Sequence, residues 1–213
     1  MKNIKLIIFD LDGTLLDAYG AIIESFNYAM RKVGFPESDS LTIRRAVGWG
    51  DENLLRPFVG KDILKKALRI YRSHHKHSLI RHSHLFSGSV KLLKSLGAKG
   101  YKLAVASNRP TKFSLLLIRH LKIGKYFDYI LCADKLKQGK PHPQILNAIR
   151  KKLKARASET LYVGDMVIDI QAGRRAHVLA VAVATGSSTL SELKKEKPSY
   201  IIKSIAGLAA LLS

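Results

Sequence analysis

Acidic residues are scarce in this chain. Sixteen Asp and Glu stand against 37 Lys and Arg, leaving a formal charge of +21 over 213 residues. Such a balance would attract polyanions, and it would steer an anionic small molecule toward any cleft. The basic residues nevertheless occur in nearly every segment, with no long run and no interleaved aromatics. A nucleic-acid footprint is clustered, so the sequence argues against specific nucleic-acid binding and for basic side chains on solvated helix faces.

Cysteine is almost missing. Cys132 stands alone, which excludes an intramolecular disulfide and points to a reducing, intracellular setting. Within the apolar run "YILCA" (129–133) it reads as a small buried hydrophobe, not a nucleophile. Long hydrophobic runs are also lacking: none approaches the roughly 20 residues of a membrane span. The N-terminal "MKNIKLIIF" is too short for a signal-peptide core and is broken by Asp10. The expected location is the cytoplasm, with no membrane partner.

Short apolar runs are plentiful: 5–9, 102–106, 129–133, 160–163, 179–184 and 200–202. Their hydrophobicity is continuous, not alternating, which predicts strands covered on both faces, as in a parallel sheet. Helix-like stretches at 88–98, 111–121, 142–154, 169–176, 189–196 and 204–212 alternate with them. The fold class is therefore α/β, a doubly wound, Rossmann-like parallel sheet. The first strand breaks the rhythm. Some 65 residues with helical patterning follow Asp17, among them a stripe at 22, 23, 26, 29, 30 and 33 that Gly34 and Pro36 stop. The expected organisation is a core of 1–17 and 84–213 with a helical insertion at 18–83.

In an open α/β sheet, ligands bind at the carboxyl ends of the strands. Those ends carry "DLDGT" (10–14), "SNR" (107–109), "GKPHP" (139–143) and "GDMVID" (164–169). Together they supply carboxylates, hydroxyls and Lys140. Hard oxygen ligands of this kind suit Mg²⁺ and suit zinc poorly. A divalent cation would also relieve the repulsion among Asp10, Asp12 and Asp165. One carboxylate can attack phosphorus, and a second, two residues on, can protonate the leaving group and later activate water. Ser107 and Lys140 can hold phosphoryl oxygens as charge develops on them.

The four motifs, in this order, resemble those of the haloacid dehalogenase superfamily. With the helical insertion after the first motif, the whole chain is similar to its phosphoglycolate phosphatase and beta-phosphoglucomutase branch. The resemblance implies that Asp10 is nucleophile and Mg²⁺ ligand, and that Asp12 is general acid/base with its backbone carbonyl on the metal. It implies phosphate-binding hydroxyls at Thr14 and Ser107, a charge-neutralising Lys140, a metal ligand at Asp165 and an indirect one at Asp169. Asn108 is a secondary substrate contact in this reading, and 18–83 is a helical cap. Because dehalogenases lack an acid at position 12, Asp12 points to P–O chemistry. The expected activity is Mg²⁺-dependent hydrolysis of a small phosphorylated metabolite through an aspartyl-phosphate.

Two other readings stay open: a phosphosugar mutase on the same core, and a non-enzymatic polyanion-binding protein on the same scaffold. Asp17 reads as an ordinary cap at the mouth of the insertion, and Arg109 as solvent-facing. The histidines at 74, 75, 77, 82 and 84 read as a solvated basic face. "VGWG" (47–50), preceded by Arg44 and Arg45, reads equally as a loop over the site or as a helix end with a core tryptophan. Arg44, Arg45 and Trp49 are thus the candidate specificity residues. The sequence specifies neither the substrate nor the oligomeric state.

Overall fold

The computed structural model describes residues 3–212. Six strands form one sheet: β1 (Leu6–Phe9), β4 (Lys102–Ser107), β5 (Tyr129–Cys132), β6 (Thr160–Gly164), β7 (Leu179–Val183) and β8 (Tyr200–Ile202). Their order is β5-β4-β1-β6-β7-β8, and every pairing is parallel. All six apolar runs became strands, with ends differing by a residue or so.

Side chains alternate across each strand, so β1 feeds two cores. Ile7 and Phe9 join Leu103, Val105, Leu161 and Val163 on one face. Helices α4 (Ser89–Ala98) and α5 (Thr111–His120) cover that face with Leu92, Leu93, Leu96, Phe113 and Leu117. Leu6 and Ile8 face the other way, toward Ile145, Leu146 and Ile149 of α6 (Gln144–Leu153) and Ala172 of α7 (Val167–Arg175). Burial on both faces is what the continuous hydrophobic runs signalled, at roughly 1.5–3 kcal/mol for each fully buried large aliphatic. Helices α8 (Leu190–Lys195) and α9 (Leu208–Leu211) complete the far edge. Cys132 is buried, as a packing residue should be.

Residues after β1 make one departure from expectation. Where only connecting chain was read, β2 (Leu16–Asp17) and β3 (His84–Leu85) pair antiparallel, Leu16 opposite Leu85. Two residues are too few to show a period, so no pattern could announce them. This narrow ribbon carries the chain out of the sheet and back.

Between the two strands lie α1 (Tyr19–Val33), α2 (Ser40–Ala46) and α3 (Asp51–His82). The apolar stripe of α1 buries Ile22, Phe26, Ala29 and Met30 against Leu55, Val59, Ala67 and Tyr71 of α3, a cluster separate from the sheet's own. Gly34 ends α1 at φ 82°, where its missing Cβ permits the left-handed turn. Asp17 accepts the Tyr19 N–H at 2.9 Å, the capping role expected of it. Helix α3 is broken at Gly60 (φ 68°, ψ 179°). The helical layer thereby lies over the carboxyl ends of β1 and β4.

Candidate active site

Four strand ends converge, because strands that are neighbours in the sheet are remote in sequence. Asp10 follows β1, Ser107 ends β4, Asp165 follows β6, and Lys140 comes from the loop after β5. Lys140 is the hub. Its ammonium lies 2.9 Å from Asp10 Oδ1, 2.8 Å from Asp169 Oδ1 and 3.0 Å from the Tyr162 hydroxyl. All three N–H donors are therefore used. Burial alone would lower the Lys140 pKa, but Asp10 and Asp169 reverse this and hold it above its ordinary value.

The carboxylates are less well compensated. Asp10, Asp165 and Asp169 each offer an oxygen within 4.8 Å of the others. Burial, opposed by Lys140 and reinforced by Asp169, pushes the Asp10 pKa up to about 7. Burial again, then Asp169 and Asp10, raises Asp165 well above the carboxylate range. Among the described residues Lys140 is the only cation within ion-pair distance of these three buried acids, so ionising all of them would leave negative charge uncompensated. Their oxygen donors fit a hard divalent cation such as Mg²⁺, which would supply the missing charge.

Asp165 is held from several sides. It accepts from Thr14 Oγ1 at 3.0 Å, Tyr19 Oη at 3.3 Å and the Ser187 N–H at 3.2 Å. Thr14, expected on the phosphate, thus spends its hydroxyl on Asp165 and does not line the cavity. Gly13 (φ 79°) must lack a side chain, since a Cβ would sit 2.5 Å from Asp165 Oδ2. Asp169 accepts from Tyr162 Oη at 2.7 Å and from the Met166 N–H at 2.9 Å, besides Lys140. Asp12 is outside the three-acid cluster.

The loop after β4 joins everything. Ser107 Oγ accepts the Arg109 N–H at 3.1 Å, which leaves its own O–H free to donate. Asn108 is a brace: its amide donates to the carbonyls of Gly48 and Lys140, both at 2.9 Å, and accepts the Lys140 N–H at 2.8 Å. Arg109 corrects the sequence reading. It is buried, and its Nε and Nη2 grip Asp12 as a fork, both at 2.8 Å. Its Nη1 donates to His75 Nε2 of α3 at 2.7 Å.

His75 is the second correction, for it is 2 % exposed and no part of a solvated face. A guanidinium cannot accept, so His75 is neutral at Nε2 and donates through Nδ1 to Ser25 Oγ at 3.1 Å. Burial first, then Arg109, holds its pKa well below the usual imidazole value. His74 is also partly covered, stacked on Tyr28 at 4.1 Å. His77, His82 and His84 are exposed, as expected.

The cavity over these groups measures about 560 Å³ including its open mouth. Its floor is Asp10, Asp12, Ser107 and Lys140, and its roof includes Val47, Gly48, Gly50, Leu54 and Tyr71. The glycines of "VGWG" therefore reach over the site. Trp49 is 46 % exposed and outside the lining, which corrects its reading as a core tryptophan. Arg44 and Arg45 do not line the cavity either. Arg44 donates to the carbonyls of Thr185 (3.0 Å) and Gly186 (3.1 Å) and lies over the Tyr19 ring. Arg45 bonds Ser187 O at 2.7 Å and pairs with Glu192. Both tie the helical layer to the loop behind Asp165, roles that sequence did not indicate.

Sequence reasoning missed Tyr162 and Tyr19, whose hydroxyls support Asp169 and Asp165. Each stands in an apolar pattern that reads as core, and each is core apart from one oxygen. Among the described residues, no helix is long and apolar enough to cross a membrane.

Residues 7–183 match the model of a family described as haloacid dehalogenase-like hydrolase. A phosphoglycolate phosphatase of Vibrio vulnificus (strain YJ016) is 30 % identical over 217 residues, covering 97 % of this chain and 95 % of the relative. The probable phosphatase IndB of Dickeya dadantii (strain 3937) is 32 % identical over 203 residues, covering 92 % and 88 %. The crystal structure of a predicted phosphoglycolate phosphatase from Haemophilus somnus 129pt superimposes with a TM-score of 0.94 at 27 % identity, over 100 % of both chains.

Proposed function

The chain belongs to the haloacid dehalogenase-like hydrolases, and on that premise we propose that it hydrolyses a small phosphomonoester through an aspartyl-phosphate on Asp10. The observation that carries this reading is the Lys140 ammonium held between Asp10 and Asp169 beside the Arg109-bound Asp12. A nucleophilic carboxylate, a charge-neutralising lysine and a second carboxylate are thereby collected on one cavity floor.

In the first step an Asp10 oxygen attacks phosphorus, the P–O bond to the leaving group breaks, and Asp12 gives that oxygen a proton. In the second step Asp12 takes a proton from water as the water oxygen attacks phosphorus, and the Asp10–P bond breaks. Ser107 donates its free hydroxyl hydrogen to a phosphoryl oxygen, and Lys140 offsets charge beside the reacting carboxylate. Asp10, the Asp12 backbone carbonyl and Asp165 would hold Mg²⁺, with Asp169 acting indirectly; the ion supplies charge stabilisation for the phosphoryl group.

We read residues 18–83 as a cap that closes over the site to exclude water and opens to release product. Hydrolysis is favoured over the mutase reading by the roof. A diphosphorylated intermediate needs a cation above the site, yet among the described residues the roof presents none, since Arg44 and Arg45 are engaged elsewhere. The intact acid set likewise favours an enzyme over a non-enzymatic scaffold. The relatives named for phosphoglycolate make that ester the first substrate to assay.

The test is phosphate release from a phosphometabolite panel with Mg²⁺. Turnover of at least one small ester, abolished in Asp10→Asn, is expected. Isomerised sugar phosphate in place of free phosphate would establish the mutase instead.

A further inference from the structure

What argued against a nucleic-acid partner was the lack of a basic cluster in the sequence, and the fold builds one. From Ile63 to His82, α3 carries no Asp or Glu but has Lys65, Lys66, Arg69, Arg72, Lys76 and Arg81. Lys65, Arg69, Arg72 and Lys76 are four, three and four residues apart, so they stack on one helix face, one to a turn. Lys112, near the start of α5, faces them from the sheet side across a groove. A helix face and a helix start 36 to 47 residues away in sequence thus make one positive surface.

These cations are not internally compensated. Lys65, Lys66, Arg69, Lys76 and Lys112 are exposed, and no acid lies within ion-pair distance of them among the described residues. Arg72 alone is paired, with Asp51 at 2.7 Å, and Asp62 is the one acid lining the groove. Exposed helices ordinarily place acids three or four residues from bases, whereas like charges at those spacings repel. A face assembled against its own repulsion is matched by a ligand with repeated negative charge. The face runs for about 16 Å at roughly 1.5 Å per residue, close to five base-pair steps at about 3.4 Å each. Among the described residues His77 is the one ring lining the groove, with no Phe, Tyr or Trp to make a stacking platform for successive unpaired bases, so contact would be mainly with the backbone.

We propose that the groove between α3 and α5 docks the phosphate backbone of duplex nucleic acid, without reading its sequence. The surface is separate from the catalytic cavity and does not depend on what that cavity hydrolyses. Arg72 of the groove pairs with Asp51, which lines the cavity.

The test is fluorescence anisotropy with a labelled 20-base-pair DNA of arbitrary sequence, titrated between 50 and 200 mM KCl. Three proteins are compared: the wild type, a groove variant (Lys65→Gln, Arg69→Gln, Lys76→Gln, Lys112→Gln), and a control of equal charge (Lys91→Gln, Lys94→Gln, Lys99→Gln, Lys152→Gln). Matched thermal midpoints show that all three are folded. The groove variant should lose at least tenfold in affinity at 50 mM salt. The slope of log K against log salt should shrink by about 3.6, at about 0.9 per phosphate contact. The control should keep the wild-type slope. Absence of salt-dependent binding by the wild type would overturn the proposal, as would equal losses in both variants. Tighter binding of a single strand than of the duplex would overturn the choice of partner.

Discussion

Arg109 grips Asp12 with two parallel bonds of 2.8 Å and donates from Nη1 to His75, across the boundary between sheet and helical layer. The acid assigned to move the proton is therefore fixed by a cation that the helical layer also holds. Arg109→Met would leave Asp12 unpaired in a largely buried place, at a cost of about 3 kcal/mol in stability. A lost acid/base orientation should matter most for poor leaving groups. We expect kcat to fall at least tenfold further for an alkyl phosphate than for an activated aryl phosphate. Equal losses for both esters would assign Arg109 to packing alone.

His75 yields a pH prediction. Its folded pKa lies below its ordinary value of 6.5, so the unfolded chain binds the proton first as pH falls. The stability it contributes is complete above about 6.5 and is lost progressively at lower pH. His75→Phe keeps the ring against Tyr71 and Phe113 but cannot be protonated. Urea midpoints from pH 7.5 to 5.5 should fall more steeply for the wild type than for the variant. Parallel curves would mean that His75 is not the group that titrates.

The three buried acids predict proton-coupled metal binding. Asp10 stands near pH 7 without a cation, so binding of Mg²⁺ should release protons at neutral pH. Calorimetric titration with Mg²⁺ in two buffers of different ionisation enthalpy should give different heats at pH 7. Asp165→Asn should abolish the binding itself. Identical heats in both buffers would argue against a raised Asp10.

Gly13→Ala tests the packing behind Asp165. The left-handed backbone at φ 79° costs an alanine about 1 kcal/mol, and its Cβ would push Asp165 out of place. The expected result is a lower thermal midpoint together with weaker Mg²⁺ binding. An unshifted metal titration would show that Asp165 does not set the site.

Much of this architecture was legible because it depends on local pattern. Continuous apolar runs marked both-face burial, and polar residues following them marked the strand ends where Asp10, Ser107, Lys140 and Asp165 meet. Arg109 was misread because its surroundings are not local. Beside Pro110 it looks like a turn residue, and only Asp12 and His75, arriving from elsewhere in the chain, bury it. His75 was lost among five histidines for the same reason, since a helix's buried side is set by what packs there. Arg44 and Arg45 were read as specificity candidates because they precede the Gly48–Gly50 loop, and nothing local announced that they bond the carbonyls of Thr185, Gly186 and Ser187. The cation track on α3 was invisible to a search for runs, because spacings of three and four become neighbours only on a helix.

Acid-quench labelling tests the central claim most directly. A phosphomonoester labelled with ³²P would be mixed with wild type, Asp12→Ala and Asp10→Asn in Mg²⁺ and quenched in acid within one turnover. With an activated aryl ester, label should appear on the protein, map to Asp10, accumulate in Asp12→Ala and be absent from Asp10→Asn. Undiminished turnover by Asp10→Asn, or label on any other residue, would contradict the mechanism.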